Sequence, residues 1–474
     1  MKAESVRTAP RISSNRTDSL FWPLIALVAL APLPLASNRP LPAALLALCA
    51  GTLLSIWAIR VATKGPGTIA VTVSRLRWPL ILFGAVALWI LVQAMPIMPQ
   101  DWADPIWGLA AEALGKPLAG SLSVNPEATL TGLMRLLSYA AIFWLSLQLN
   151  RDPHHARRAL AAIALIGGAY AFYGLLIYFT GNEWILFYRK WAYQDALSST
   201  FVNRNSYATF AGLCLLCATV WFIDSFRHFL SINRPLRQRI VMIVETIFSR
   251  ALLRTLAALM LLVALVLTGS RAGIASSLAA FFLLLLTYAR GRNVRAPHAA
   301  AAAILAISIV GIIVFLSGSL LSSRLAGLDN DLSAIDRGIV YSSTLDAIET
   351  VPWTGTGYST YRNVFAAYRP SSLSSRFYWD KAHQVYLENA LELGIPAALA
   401  LNISILLLAW EALRGLWRRR RQRTYSAIGV AATILVGLHS LLDFSLQIPA
   451  VAVLYAFIMG LAVSQSWPSS NRTR

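Results

Sequence analysis

The chain has 474 residues, 57% of them hydrophobic and only 13% charged, with a formal net charge of +20. Ordinary soluble domains carry about 25% charged residues, and here the apolar residues fall in long uncharged runs that a soluble core does not use. Disorder, a disulfide framework and a string of soluble domains are thereby excluded as main readings, and the placement of the positive charge excludes nucleic-acid binding. Cys49, Cys214 and Cys217 all lie in apolar runs, so Cys214 and Cys217 read as small packing residues of a hydrophobic helix rather than a redox pair.

A bilayer core is crossed by about 20 apolar helical residues. Taken in chain order, the apolar runs predict spans at 19–36, 41–60, 78–97, 129–149, 158–180, 206–225, 251–269, 272–289, 298–318, 395–412, 425–443 and 446–464. The first run holds Pro32 and Pro34 and is followed by further spans, so it is read as an anchor and not as a cleaved leader. The stretch 251–289 is too long for one crossing: at 1.5 Å per residue it measures roughly 58 Å, about twice the hydrocarbon thickness. It is therefore expected to turn at Gly269-Ser270. The predicted fold is an all-α polytopic membrane protein of about twelve spans with one large loop domain between spans nine and ten.

With the N-terminus inside, 28 of the 41 Lys and Arg residues fall on the inner side, as the positive-inside rule requires. The expected layout is an inner tail at 1–18, spans one to nine over 19–318, an external loop domain at 319–394, spans ten to twelve over 395–464 and an inner tail at 465–474. The basic run Arg418 to Arg421 then reads as a contact with anionic lipid. Segments 98–128, 181–205 and 319–394 are the long external ones. The last is rich in aromatic residues, among them Tyr341, Trp353, Tyr358, Tyr361, Phe365 and Trp379.

Few charges lie within the spans; Arg135, His439 and Asp443 are the main ones. That scarcity argues against a coupled transporter, which commonly buries ionisable groups near the midplane. Polar groups gather at the outer face instead. Span six opens with Asn203-Arg204-Asn205-Ser206 and span eight with Ser270-Arg271. Each is an outward-facing helix start with a capping side chain and an arginine in its first turn. Helix starts favour anions and disfavour cations. Either these arginines snorkel to headgroups, or a bound di-anion such as a phosphate accepts their forked hydrogen bonds; two at one face favour the anion. His383 is read at the start of an amphipathic helix over 383–393, with Asp380 as its cap and Gly394 to Pro396 as its break. At a helix start a histidine is expected to be neutral and able to act as a general base, against the plainer reading of an exposed loop residue.

The segments Phe201-Val-Asn-Arg-Asn205, Thr268-Gly-Ser-Arg-Ala-Gly273, Pro352-Trp-Thr-Gly-Thr-Gly357, His383-Gln-Val-Tyr-Leu387 with Glu392-Leu-Gly-Ile-Pro396, and His439-Ser-Leu-Leu-Asp-Phe444 together resemble the O-antigen ligase and O-antigen polymerase superfamily of bacterial envelope polysaccharide assembly. The similarity runs from about residue 120 to 464. It implies a metal-independent, inverting glycosyltransferase of the inner membrane, without cofactor, with its active site on the periplasmic face and both termini cytoplasmic. The implied donor is an undecaprenyl-diphosphate-linked glycan; the acceptor is a glycan or a lipid A core, with membrane lipids as surroundings and no nucleic-acid partner. On that resemblance His383 takes the acceptor's proton. Arg204 and Arg271, with Asn203, Asn205 and Ser270, hold the diphosphate. Arg337 and Arg369 add phosphate or sugar contacts, or are ordinary loop ion pairs. His439 and Asp443, four residues apart on one helix face, form a buried pair or line the acceptor cleft. Glu388 falls off the His383 face, and Glu392 reads as a helix-surface acid. Asp329-Asn330-Asp331 resembles the D-x-D of metal-dependent transferases but is read as polar loop. A polymerase joining lipid-linked repeats is the nearest alternative, and a small-anion (inorganic carbon) transporter is an alternative of another class.

Overall fold

The computed structural model describes residues 18–99, 101–225, 236–249, 251–290, 332–373, 379–419 and 423–468. The ninth expected span and Asp329 to Asp331 lie outside them, as do most of both tails.

The described chain is almost wholly helical. Helices α1 (Asp18–Leu30), α2 (Pro40–Lys64), α3 (Arg77–Ala94), α5 (Pro126–Leu149), α6 (Pro153–Phe179), α7 (Arg204–Asp224), α9 (Leu252–Leu267), α10 (Arg271–Arg290), α14 (Ile395–Arg418), α15 (Arg423–His439) and α16 (Pro449–Ser464) fall where the apolar runs lie. Among the described residues six segments are long and apolar enough to cross a membrane: α2, α3 with the turn before it, α5, α6, α7 and α14. Helix starts are set by local chemistry. Asn125 caps α5 by accepting from the Ala128 N–H, and Asp152 caps α6 by accepting from the His154 N–H. Proline occupies the first position of both, where a missing N–H is harmless.

Several elements depart from the sequence expectation. The first run ends as helix at Leu30; beyond Pro32 and Pro34 the chain makes a short 3-10 turn, Leu35–Ser37, with left-handed backbone. The segment after α7 contains α8 (Leu236–Phe248), and the 98–128 segment contains α4 (Ile106–Leu114). The first is amphipathic and the second only nine residues long, so a search for long apolar runs passes over them. Segment 181–205 forms a small antiparallel hairpin, β1 (Trp184–Ile185) with β2 (Tyr188–Arg189), which is the sheet among the described residues and a small exception to an all-α fold. The turn between α9 and α10 does fall at Gly269-Ser270, with Gly269 at φ +59°.

Helix α7 is the central post, buried from Ser206 to Val220. Small residues set its neighbours. A Cβ on Gly273 of α10 would stand 2.6 Å from Ala208 of α7, and one on Gly212 of α7 would stand 2.9 Å from Leu435 of α15. These approaches lock the first turns of α7 and α10 side by side and bring α15 against α7.

Residues 332–373 and 379–393 build a helical unit with a core of its own, made by α11 (Leu332–Thr350), α12 (Tyr361–Tyr368) and α13 (Val385–Leu393) around Val340, Ala347, Tyr361, Phe365, Ala382 and Leu391. The Pro352–Gly357 segment wraps the end of α13: the Thr356 and Gly357 N–H groups donate to the Leu391 and Glu392 carbonyls. Gly355 and Gly357 have φ of +67° and +100°, and a Cβ on Gly357 would stand 2.6 Å from the Ser123 Cβ. No larger residue fits there. The unit is tied to the spans through Gln93 and Trp89 of α3, which donate to the Glu392 and Leu393 carbonyls.

Candidate active site

Helix α7 begins at Arg204, with Asn203 as N-cap accepting from the Asn205 N–H at 2.7 Å. The Asn205 side-chain amide then donates to Oδ2 of Asp443 at 2.6 Å. Asp443 follows α15 and also accepts from the Phe444 N–H at 2.8 Å and the Ser445 hydroxyl at 3.2 Å. Its side chain is 1% exposed. A carboxylate that deep is tolerable only with such donors around it.

His383 faces the same carboxylate. Its Nδ1 stands 3.8 Å from Oδ2 of Asp443, and its side chain remains 17% exposed. That distance is ion-pair reach and longer than a hydrogen bond. The ring is set between Trp379 and Phe444, each edge-on, with centroids at 5.2 and 4.8 Å. The backbone of His383 is left-handed, φ +55°, and its carbonyl accepts from the Tyr341 hydroxyl at 3.1 Å. His383 is thus not the start of a helix. The helix begins at Val385, and its cap is Gln384, which accepts from the Leu387 N–H, rather than Asp380. Ring packing and the Asp443 carboxylate, more than a helix dipole, set its surroundings.

His439 and Asp443 are both buried, but the helix face expected to carry them ends at His439. Beyond it, the Asp443 N–H still donates to the His439 carbonyl at 2.9 Å. Their side chains turn to different partners on α7. His439 Nδ1 pairs with the Thr209 hydroxyl, and its Nε2 is buried without a hydrogen-bond partner among the described residues.

Cations lie in the neighbourhood of this cluster. The Arg204 guanidinium stacks over the Tyr193 ring at 5.3 Å. Arg337, on α11, is half-buried. The positive charges of Arg204 and Arg337 are both felt by the Tyr193 phenol, whose pKa is nevertheless raised, by burial first and then by Asp443. The Tyr341 phenol is likewise raised by burial and Asp443, with Arg337 opposing. Lys190, from the loop before α7, is buried and donates to the Ala196 carbonyl at 2.5 Å. Burial first, then Arg204 against the pull of Asp195, brings its ammonium down to about 8.

Of the residues singled out in the sequence, Asn203, Arg204, Asn205, His383, His439 and Asp443 are therefore brought together, with Arg337 close enough to act through its charge. Ser270 is buried and caps α10, accepting from the Gly273 N–H at 3.2 Å, whereas Arg271 beside it is exposed. The Gly273–Ala208 contact places that arginine next to the start of α7, though not within the described contacts of Asp443. Arg369 follows α12, half-buried. Sequence reasoning missed Tyr193, Lys190, Thr209 and Tyr341, single polar residues without a local pattern. It also mistook Glu388 and Glu392, both fully buried. Among the described residues there is no group of three His, Cys, Asp or Glu able to hold a metal.

The O-antigen ligase family model matches residues 256–402. This assigns that stretch, and with it Arg271, Arg337, Arg369 and His383, to the O-antigen ligase superfamily, whose proteins act in membrane polysaccharide biosynthesis. Arg204, His439 and Asp443 lie outside the matched residues; Asp443 faces His383, and Arg204 and His439 lie in the surroundings of Asp443. A search of curated proteins finds no match.

Proposed function

We propose that this membrane protein transfers a glycan from an undecaprenyl-diphosphate carrier to an acceptor hydroxyl, at the periplasmic face of the bacterial inner membrane. The observation that carries the proposal is the meeting of His383 with the buried Asp443 beside Arg204 and Arg337. Asp443 faces the imidazole Nδ1 across 3.8 Å and helps to orient the ring. His383 takes the proton of the attacking hydroxyl as the new glycosidic bond forms, a general-base role worth about 10²–10⁴-fold in rate. The diphosphate leaves with the electron pair of the broken bond. Arg204 and Arg337, with Arg271 joining from α10, stabilise the charge growing on it. A displacement of this kind inverts the anomeric centre and, with guanidinium groups holding the leaving group, proceeds without a metal.

The acceptor decides between ligase and polymerase. A lipid A core makes the protein a ligase, and another lipid-linked repeat makes it a polymerase. The ligase reading is preferred here because the matching family model is that of O-antigen ligase. The test is purified protein in nanodiscs with a lipid-linked donor and either acceptor. Transfer that persists in EDTA is the expected result. Transfer abolished by chelator and restored by Mg²⁺ contradicts the metal-free mechanism and turns attention to Asp329 and Asp331. No transfer to either acceptor, with anion uptake into proteoliposomes, favours the transporter. For the topology, a single cysteine at exposed Leu345 is expected to react with an impermeant maleimide from outside, and one at Trp417 is not.

A further inference from the structure

Glu388 has no part in the chemistry proposed above, yet it is one of the most deeply buried charges in the described chain, its side chain wholly inaccessible. Both of its oxygens are engaged, and both engage the residues immediately before His383. Oε1 accepts from the Lys381 ammonium at 2.9 Å, and Oε2 accepts from the Ala382 N–H at 2.9 Å. The next residue, His383, has a left-handed backbone, which costs an L-residue other than glycine roughly 1–2 kcal/mol. Such a conformation persists only where its surroundings over-determine it.

Three further ties complete the clamp. The Tyr341 hydroxyl donates to the His383 carbonyl, the Gln384 side chain caps α13, and the Val385 N–H donates to the Ser440 carbonyl at 3.0 Å. The last is the tie to the segment carrying Asp443. Glu388 thus holds one side of the His383 peptide and Ser440 the other. One turn further along α13, Glu392 plays a parallel part, accepting from the Ser359 and Tyr361 N–H groups. Burial and the nearby Glu388 raise the pKa of Glu392, with Lys381 and those N–H groups opposing. Lys381 is the counter-charge for a helix that carries two buried acids.

We infer that Glu388 is a positioning residue: with Lys381 it fixes the left-handed turn that aims the His383 ring at Asp443. The inference rests on the proposed base role of His383 for its effect on turnover, but not for its effect on the ring. The Glu388→Gln variant keeps an acceptor for the Ala382 N–H and loses the charge that holds Lys381. Two readouts follow, both on full-length protein in nanodiscs.

The first is the ¹⁵N-histidine spectrum, with the His383 resonances assigned by their loss in His383→Gln. Glu388→Gln should shift or broaden those resonances and leave the His439 resonances in place. The second is turnover. A small misplacement of a catalytic group costs up to about 10²-fold, so turnover should fall about 10–100-fold, with donor KM changed by less than about twofold. The double variant Glu388→Gln/Lys381→Met should regain part of the loss, because it also removes the ammonium left without its partner.

Wild-type turnover with unshifted His383 resonances in Glu388→Gln overturns the inference. So does loss of all histidine signals without rescue by Lys381→Met, which makes Glu388 a folding residue only. If Glu388→Gln shifts the His383 resonances while His383→Ala transfers normally, the clamp stands and the base assignment alone fails.

Discussion

The starts of α7 and α10 carry the same local pattern, a capping side chain followed by an arginine, and they lie side by side, yet their surroundings differ. At α7 the pattern is knit into other elements. Arg204 is stacked on Tyr193, and Asn205 is bound to Asp443 from beyond α15. At α10 the cap is satisfied within the turn, by Ser270 accepting from Gly273, and Arg271 is exposed. A helix-start arginine is therefore not a role in itself. What the chain packs against it decides how deeply the guanidinium is built into the fold.

The largest divergence between the two should appear on truncation. Arg204→Ala removes a held cation from the site and should cost donor binding about 1.5–3 kcal/mol, the range for a charged hydrogen bond, read as a rise in donor KM or Kd. Arg271→Ala should cost less, because at an exposed position solvent and salt screen the charge. Equal losses would contradict the comparison. Next comes Arg271→Lys. If Arg271 forks onto the diphosphate it should lose most of what Arg271→Ala loses, since an ammonium cannot replace two parallel hydrogen bonds. Near-full transfer with lysine would make it a general electrostatic anchor.

Tyr193→Leu sharpens the contrast further. It removes the stacking surface under Arg204, worth about 0.5–2 kcal/mol, and should weaken donor binding without altering the response to Arg271 variants. The smallest expected effect is a pH dependence. Lys190 titrates near 8, so its charge is present at neutral pH and is lost as pH rises through that value. Donor affinity should fall modestly above about pH 8, and Lys190→Met should flatten that limb. The same shift means that folding carries the cost of burying this ammonium at neutral pH. With its folded pKa below its unfolded one, its contribution to stability improves from pH 8 up toward the ordinary lysine range.

The long apolar helices were legible in the sequence because a bilayer demands them, six of the twelve expected spans having the length and apolarity to cross it among the described residues, and the α9–α10 turn was legible because length alone forced it. What was not legible follows from the same physics. Helix α4 is nine residues long, α8 mixes polar with apolar residues, and the β1–β2 hairpin is four strand residues long, so none leaves a long apolar run. At the site, Asn203-Arg204 and His383 stood out by local pattern. Asp443 was visible as a charge in an apolar run, but its partners were not: Asn205 and His383 reach it from far along the chain. Glu388 was dismissed because residues five apart do not share a helix face. The premise failed because His383 is not in the helix at all, and the left-handed turn brings its peptide back over the first turn of α13. Glu392 was taken for a surface acid because nothing in its neighbourhood announces that Pro352–Gly357 will fold over it.

The most direct test of the central claim separates binding from chemistry at His383. Donor binding and single-turnover transfer would be measured on wild-type and His383→Ala protein in nanodiscs, with a lipid-linked donor and a defined acceptor. A general base that does not hold the donor predicts unchanged donor affinity and a transfer rate lower by about 10²–10⁴-fold. Transfer at the wild-type rate by His383→Ala would contradict the account.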